Sequence, residues 1–170
     1  TILTAAYAAG LRISEATHLK VTDIDSKRMV LRVDQGKGGR DRDVMLSPRL
    51  LEELRSYWKV ARPKTWLFPG DTPGQPISRG AVEAACQKAH RASGIHKPIT
   101  PHSLRHAFAT HLLESGTNVR QIQLLLGHRS LDTTTRYLKV ATSTVCATVS
   151  PFDLLPRIEP LPSESPPAHF

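Results

Sequence analysis

Residues 100–116 read TPHSLRHAFATHLLESG, a stretch with the marks of a helix from end to end. Thr100 offers a capping hydroxyl and Pro101 a preset first turn. The helix is expected to run to about Leu113 and to stop before Gly116. His102 and Arg105 are three apart, so their side chains share a face. His102 and His106 also have the spacing of two ligands on a zinc-binding helix. Ser103 stands where such helices carry Glu, which argues against a metal site.

Working outward, residues 118–126 form another helix, ending in LLLG and His128. A last short helix, 131–139, carries Tyr137. Upstream, residues 2–9 read as a helix stopped by Gly10, and 12–20 as a second one that opens on Arg12. MVLRV (29–33) and RDVML (42–46) are β-prone runs around DQGKGGRD, which reads as a hairpin with Lys37 at its tip. Ser47-Pro48 starts a helix to about residue 60, with Leu50, Leu51, Leu54 and Trp58 on its apolar face. TWLFPG is a short extended piece. Ser78 caps a helix to about Ala92, with Val82, Ala85, Cys86 and Ala89 inside. The sum is an α+β domain, mainly helical, with a small antiparallel sheet.

The chain has 170 residues, enough for one domain with its own core. It carries 23 Lys+Arg against 15 Asp+Glu, a formal net charge of +8. The charge is uneven. Residues 1–140 hold 22 basic and 12 acidic side chains, while residues 141–170 hold one Arg and three acids. From about Ser150 the chain contains six of its 13 prolines and reads as an extended tail. A basic globule thus precedes a slightly acidic Pro-rich segment, and its charge favours an anionic partner. No apolar run reaches the length of a membrane span, and the first ten residues are no secretion signal. Cys86 and Cys146 make no disulfide scaffold and fit a reducing compartment. Thr1 opens directly into an apolar helical pattern, as expected of a fragment; a processed chain would read the same way.

Taken singly, the polar residues have ordinary readings. An Arg such as Arg12 or Arg105 is usually a solvated charge. GKGGR (36–40) is most often a flexible turn, and it lacks the Ser or Thr and the lead-in of a nucleotide-binding loop. His128 fits a helix-end cap, and Tyr137 fits core packing.

Together they form a pattern. AAGLRISEATHLKVTDID, QGKGGRDRDVMLS, TPHSLRHAFATHLLESG and IQLLLGHRSLDTTTRY resemble the catalytic domain of tyrosine recombinases, the phage-type integrases. The family's order is Arg, a hairpin Lys, His-x-x-Arg, His or Trp, then Tyr. Here every place is filled, by Arg12, Lys37, His102, Arg105, His128 and Tyr137, over about residues 1–140.

The resemblance implies transesterification at a DNA phosphodiester, in which a tyrosine forms a 3′-phosphotyrosine and frees a 5′-hydroxyl. Tyr137 is the implied nucleophile. Arg12 and Arg105 clamp the non-bridging oxygens. Lys37 protonates the departing oxygen. His102 acts as general base or orients the phosphate, and His128 donates a hydrogen bond to it. No metal or other cofactor is called for, because the arginines neutralise the charge. Glu15 either orients a catalytic side chain or makes a simple intrahelical pair with Arg12. Lys20, Arg40, Arg42 and Arg129 are candidate phosphate contacts, each equally readable as a solvated charge.

The resemblance also implies double-stranded DNA as partner, a homotetramer on DNA, a monomer or weak oligomer without it, and a bacterial cytoplasmic setting. It divides the chain into a catalytic domain (1–140) and a C-terminal segment (141–170), with the family's upstream DNA-binding domain absent from this chain. Residues 141–156 carry Val145, Val149, Phe152, Leu154 and Leu155 as anchors for docking in cis or on a neighbour. Rival readings are a type IB topoisomerase-like enzyme that only relaxes DNA, a catalytically inactive DNA-binding remnant of a mobile element, and a metal-dependent nuclease.

Overall fold

The computed structural model describes residues 1–34, 41–128 and Thr134. Lys37, Arg40, Arg129 and Tyr137 lie outside the described residues. So do the 131–139 helix, apart from Thr134, and the segment from 141 onward.

Helix α1 (Ile2–Ala8) buries Ala5 and Ala6, small residues that let α5 approach closely. Gly10 turns the chain with φ +61, and a Cβ there would stand 2.4 Å from the Phe108 ring. Both the left-handed backbone and the close contact require glycine. Helix α2 is shorter than the 12–20 expected, spanning Ile13–Thr17. Local bonds end it: the Thr17 hydroxyl donates back to the Ser14 carbonyl, and Asp23 accepts the Lys20 N–H at 2.7 Å. That second bond opens a 3-10 turn, Val21–Asp23.

The sheet has three antiparallel strands in the order β1 (Ile24–Asp25), β2 (Val30–Val33) and β3 (Arg42–Met45). The hairpin strands were expected; β1, two residues long, is too short to show alternation. Asp25 joins it to β2 by accepting the N–H groups of Lys27 and Arg28. In β2–β3, Leu31 pairs with Val44 and Val33 with Arg42. Leu31, Val33, Val44 and Leu46 point into the main core, with Leu11, Leu19 and Leu67.

Ser47 caps α3 (Pro48–Ala61), accepting the Leu50 N–H, and Leu50, Leu51 and Leu54 are buried. Trp58, expected on that face, is exposed instead, with Arg62 4.5 Å from its ring centre. Ser78 caps α4 (Arg79–Ser93), whose inward face is narrow: Val82 and Cys86 are buried, whereas Ala85 and Ala89 are exposed. Helix α5 (Pro101–Glu114) begins at Thr100, as its sequence requires, with Ser103 completing a reciprocal cap. Helix α6 (Val119–Leu126) is capped by Asn118 and ended by Gly127 at φ +63. Phe108, Ala109, Leu113, Ile122 and Leu126 form a second core between α5 and α6.

Candidate active site

Arg12 sits in the extended position just before α2, not within the helix. Its backbone N–H donates to Glu15 Oε2 at 2.8 Å and its Nη1 to Oε1 at 2.7 Å. The Glu15 side chain is 6% exposed and the Arg12 side chain 40%, so the carboxylate is interior and the guanidinium faces outward.

Two further guanidiniums meet the same carboxylate. Arg42 donates from Nη1 to Oε1 at 3.0 Å and from Nη2 to Oε2 at 2.8 Å, a two-pronged pair. Its Nε donates to the Leu125 carbonyl at 2.7 Å. Arg105 comes within 3.7 Å of Oε2. Its Nη1 donates to the Gly10 carbonyl at 2.6 Å and its Nη2 to the Leu126 carbonyl at 2.5 Å. Arg105 is only 2% exposed, a cation held inside by carbonyl oxygens from distant parts of the chain.

Glu15 is therefore more than the i,i+3 partner of Arg12: it joins the N-terminal turn, β3 and α5. Arg42, expected among the phosphate contacts, is corrected. Its side chain is 9% exposed, and three of its N–H groups point at Glu15 and Leu125. The alternation of β3 carried the signal. Arg42, Val44 and Leu46 share a register, so a core-facing cation there needs a buried anion.

Arg12, His102 and Arg105 line one opening, with Leu11, Ser14 and Pro101 around them. The structure thus brings together three of the six residues picked out by their order. A neighbouring hollow, sharing Arg12 and Ser14, is lined also by Glu15, Lys20, Asp34 and Trp66. The Lys20 ammonium lies 5.8 Å from the Trp66 ring centre, and His18 meets the ring edge-on. Trp66 gave no sign in the sequence, because its place beside Lys20 depends on a lone antiparallel bridge between the two.

His128 follows the glycine that ends α6, and its Nδ1 lies 2.9 Å from the Thr134 hydroxyl. Burial, then the charges of Arg105, Arg12 and Arg42, push its pKa down to about 4. The ring is neutral near pH 7. The tautomer in which Thr134 donates to Nδ1 places the one proton on Nε2, available to an acceptor. Glu15 is shifted the same way for other reasons. Burial alone would raise its pKa, but Arg42 and Arg12 outweigh burial and hold it below the usual carboxylate value.

These shifts set a pH dependence. Unfolded His128 takes up a proton near pH 6.5 that the folded ring refuses until about 4. Stability should be flat above about pH 7 and fall as pH drops through that window. Glu15 adds a further loss at lower pH, as its depressed folded pKa is crossed. Urea midpoints measured against pH check this: His128→Gln should flatten the upper limb and leave the lower one.

A mainly helical domain with a three-stranded antiparallel sheet thus presents two arginines and a histidine around one opening. The chain belongs to the phage integrase family, whose model matches residues 1–144. A Sinorhizobium fredii (strain NBRC 101917 / NGR234) protein named as a candidate integrase/recombinase, y4qK, is 68% identical over 169 residues, 99% of this chain and 55% of its own length. The crystal structure of XerA recombinase is similar at a TM-score of 0.74 and 32% identity, covering 84% of this chain and 53% of that one. XerH site-specific recombinase, in a post-cleavage complex with a palindromic difH substrate, matches at a TM-score of 0.74 and 25% identity, covering 85% of this chain and 42% of that one. The chain spans about half the length of these relatives. Among the described residues, no helix is long and apolar enough to cross a membrane.

Proposed function

We propose that this chain is the catalytic part of a site-specific DNA recombinase that cleaves and rejoins strands through a 3′-phosphotyrosine. The observation that carries the reading is the shared opening of Arg12, His102 and Arg105, backed by one buried carboxylate. Two guanidiniums at such an opening suit the two non-bridging oxygens of a phosphodiester, whose charge grows in the transition state.

In this reading Tyr137 Oη attacks phosphorus and loses its proton, with His102 as base or as a guide for the phosphate. The new P–O bond to tyrosine forms as the bond to O5′ breaks. Lys37 supplies the proton to O5′. His128 donates from Nε2 to a phosphate oxygen. The ester keeps the energy of the broken bond, so a second 5′-hydroxyl can reverse the step without ATP. Lys20, Arg40 and Arg129 are proposed to touch neighbouring phosphates, and Arg42 to act from inside. The partner is double-stranded DNA, gripped with a steep salt dependence and acted on by a homotetramer.

The test is a nicked suicide duplex offered to the protein expressed from its complete reading frame. The 5′-hydroxyl fragment diffuses away, and a denaturation-resistant protein–DNA adduct should accumulate, with or without EDTA. An adduct that disappears with EDTA would point to metal-dependent cleavage. Exchange of strands between two duplexes, as opposed to relaxation of one, marks a recombinase.

A further inference from the structure

We infer that Arg42 is a positioning residue for strand cleavage: its two-pronged pair with Glu15 lets that carboxylate orient Arg12 and Arg105 without cancelling their charge toward the phosphate. The inference rests on the recombinase reading above.

Glu15 takes bonds from the Arg12 backbone, the Arg12 side chain and both Nη atoms of Arg42, with Arg105 3.7 Å away. A buried carboxylate beside only Arg12 and Arg105 would orient them, but it would also offset one of their two charges. Arg42 supplies the missing cation from behind. The four groups then carry a formal +2, the charge of the two phosphate-facing arginines alone. Charges this near, screened by little water, act on each other strongly.

The anchoring of Arg42 fits this role. Its Nε holds the Leu125 carbonyl, and Arg105 holds the next carbonyl, of Leu126. Both cations lie against the last turn of α6, where the helix presents its negative end. Arg42 is thus fixed at both its Nε edge and its Nη pair, and its register-mates in β3 are core side chains. An apolar pair in place of both Arg42 and Glu15 would cost little stability, as is common for buried ion pairs replaced whole. What it would not supply is charge.

The experiment compares adduct formation on two suicide duplexes, one with the ordinary phosphodiester and one with an uncharged methylphosphonate at the scissile position. A variant that merely misfolds in part loses rate equally on both, so the ratio of rates reads the charge at the site. Arg42→Gln, which keeps donors but no charge, should slow the phosphodiester about 10- to 100-fold and the methylphosphonate less than about threefold. Adding Glu15→Gln removes the opposing charge and should return the ratio to within about threefold of the unsubstituted protein. Equal losses on both substrates, or a double variant whose ratio stays shifted, overturn the inference. If Arg42→Gln does not fold, Glu15→Gln against the double variant gives the same comparison, and a ratio unmoved between them overturns it equally. Should the unsubstituted protein form no adduct on the phosphodiester, it is the recombinase reading that falls.

Discussion

Tyr137→Phe should abolish the covalent protein–DNA adduct on a nicked suicide duplex while leaving noncovalent binding to duplex DNA intact. The substitution removes one oxygen, and in the proposed step that oxygen is the nucleophile. Among the described residues, neither of the other two tyrosines is set up to replace it. The chain has three tyrosines. Tyr7 donates or accepts at His111 Nδ1, 2.8 Å away, on the outer side of α1. Tyr57 packs its ring against Phe68, and burial pushes its hydroxyl above the usual phenol pKa. Neither lines the opening shared by Arg12, His102 and Arg105. A denaturing gel of labelled duplex reads the outcome directly. An adduct formed by the Phe variant would move the nucleophile elsewhere and leave the arginine cluster without its proposed target.

Arg105→Ala should slow cleavage by about 10²–10³-fold, the usual result of removing one preorganised transition-state donor. It should also destabilise the domain by about 3 kcal/mol. The loss strands the Gly10 and Leu126 carbonyls without a partner and leaves a cavity where a large side chain was buried. Arg105→Lys should recover little of either. A single ammonium cannot hold two carbonyls in different directions and still face a phosphate. Rates are to be taken per folded molecule, with the folded fraction measured by thermal melting in parallel. Cleavage by the alanine variant within tenfold of the unsubstituted rate would take Arg105 out of the clamp.

The parts of this fold legible in its sequence are those written locally. Thr100-Pro101, Ser47-Pro48 and Ser78 mark helix starts by chemistry confined to a few neighbours, and each starts its helix as expected. The extent of α2 was not legible. The bond that opens the next turn, Lys20 N–H to Asp23, competes with the helix and wins. Strand β1 was missed because two residues carry no alternation, and only pairing with β2 makes it a strand. At the site, Arg12, His102 and Arg105 were found by order and spacing. The inward turn of Arg42 is carried by the alternation of β3, but its partners were not legible, since Glu15 is 27 residues away and Leu125 is 83 away. Partners so distant are set by packing, and no periodicity records them.

Arg105 reaches Gly10 in one direction and Leu126 in the other, 95 and 21 residues from it along the chain. The arginine cannot be freed by fraying one helix or lifting one loop, because its anchors belong to both cores. Local openings that leave the cores packed will not break these two bonds, and the guanidinium protons that make them should exchange with solvent only through openings close to global in cost. The geometry of the clamp then has the lifetime of the native state itself: a molecule that is folded at all carries its arginine already aimed.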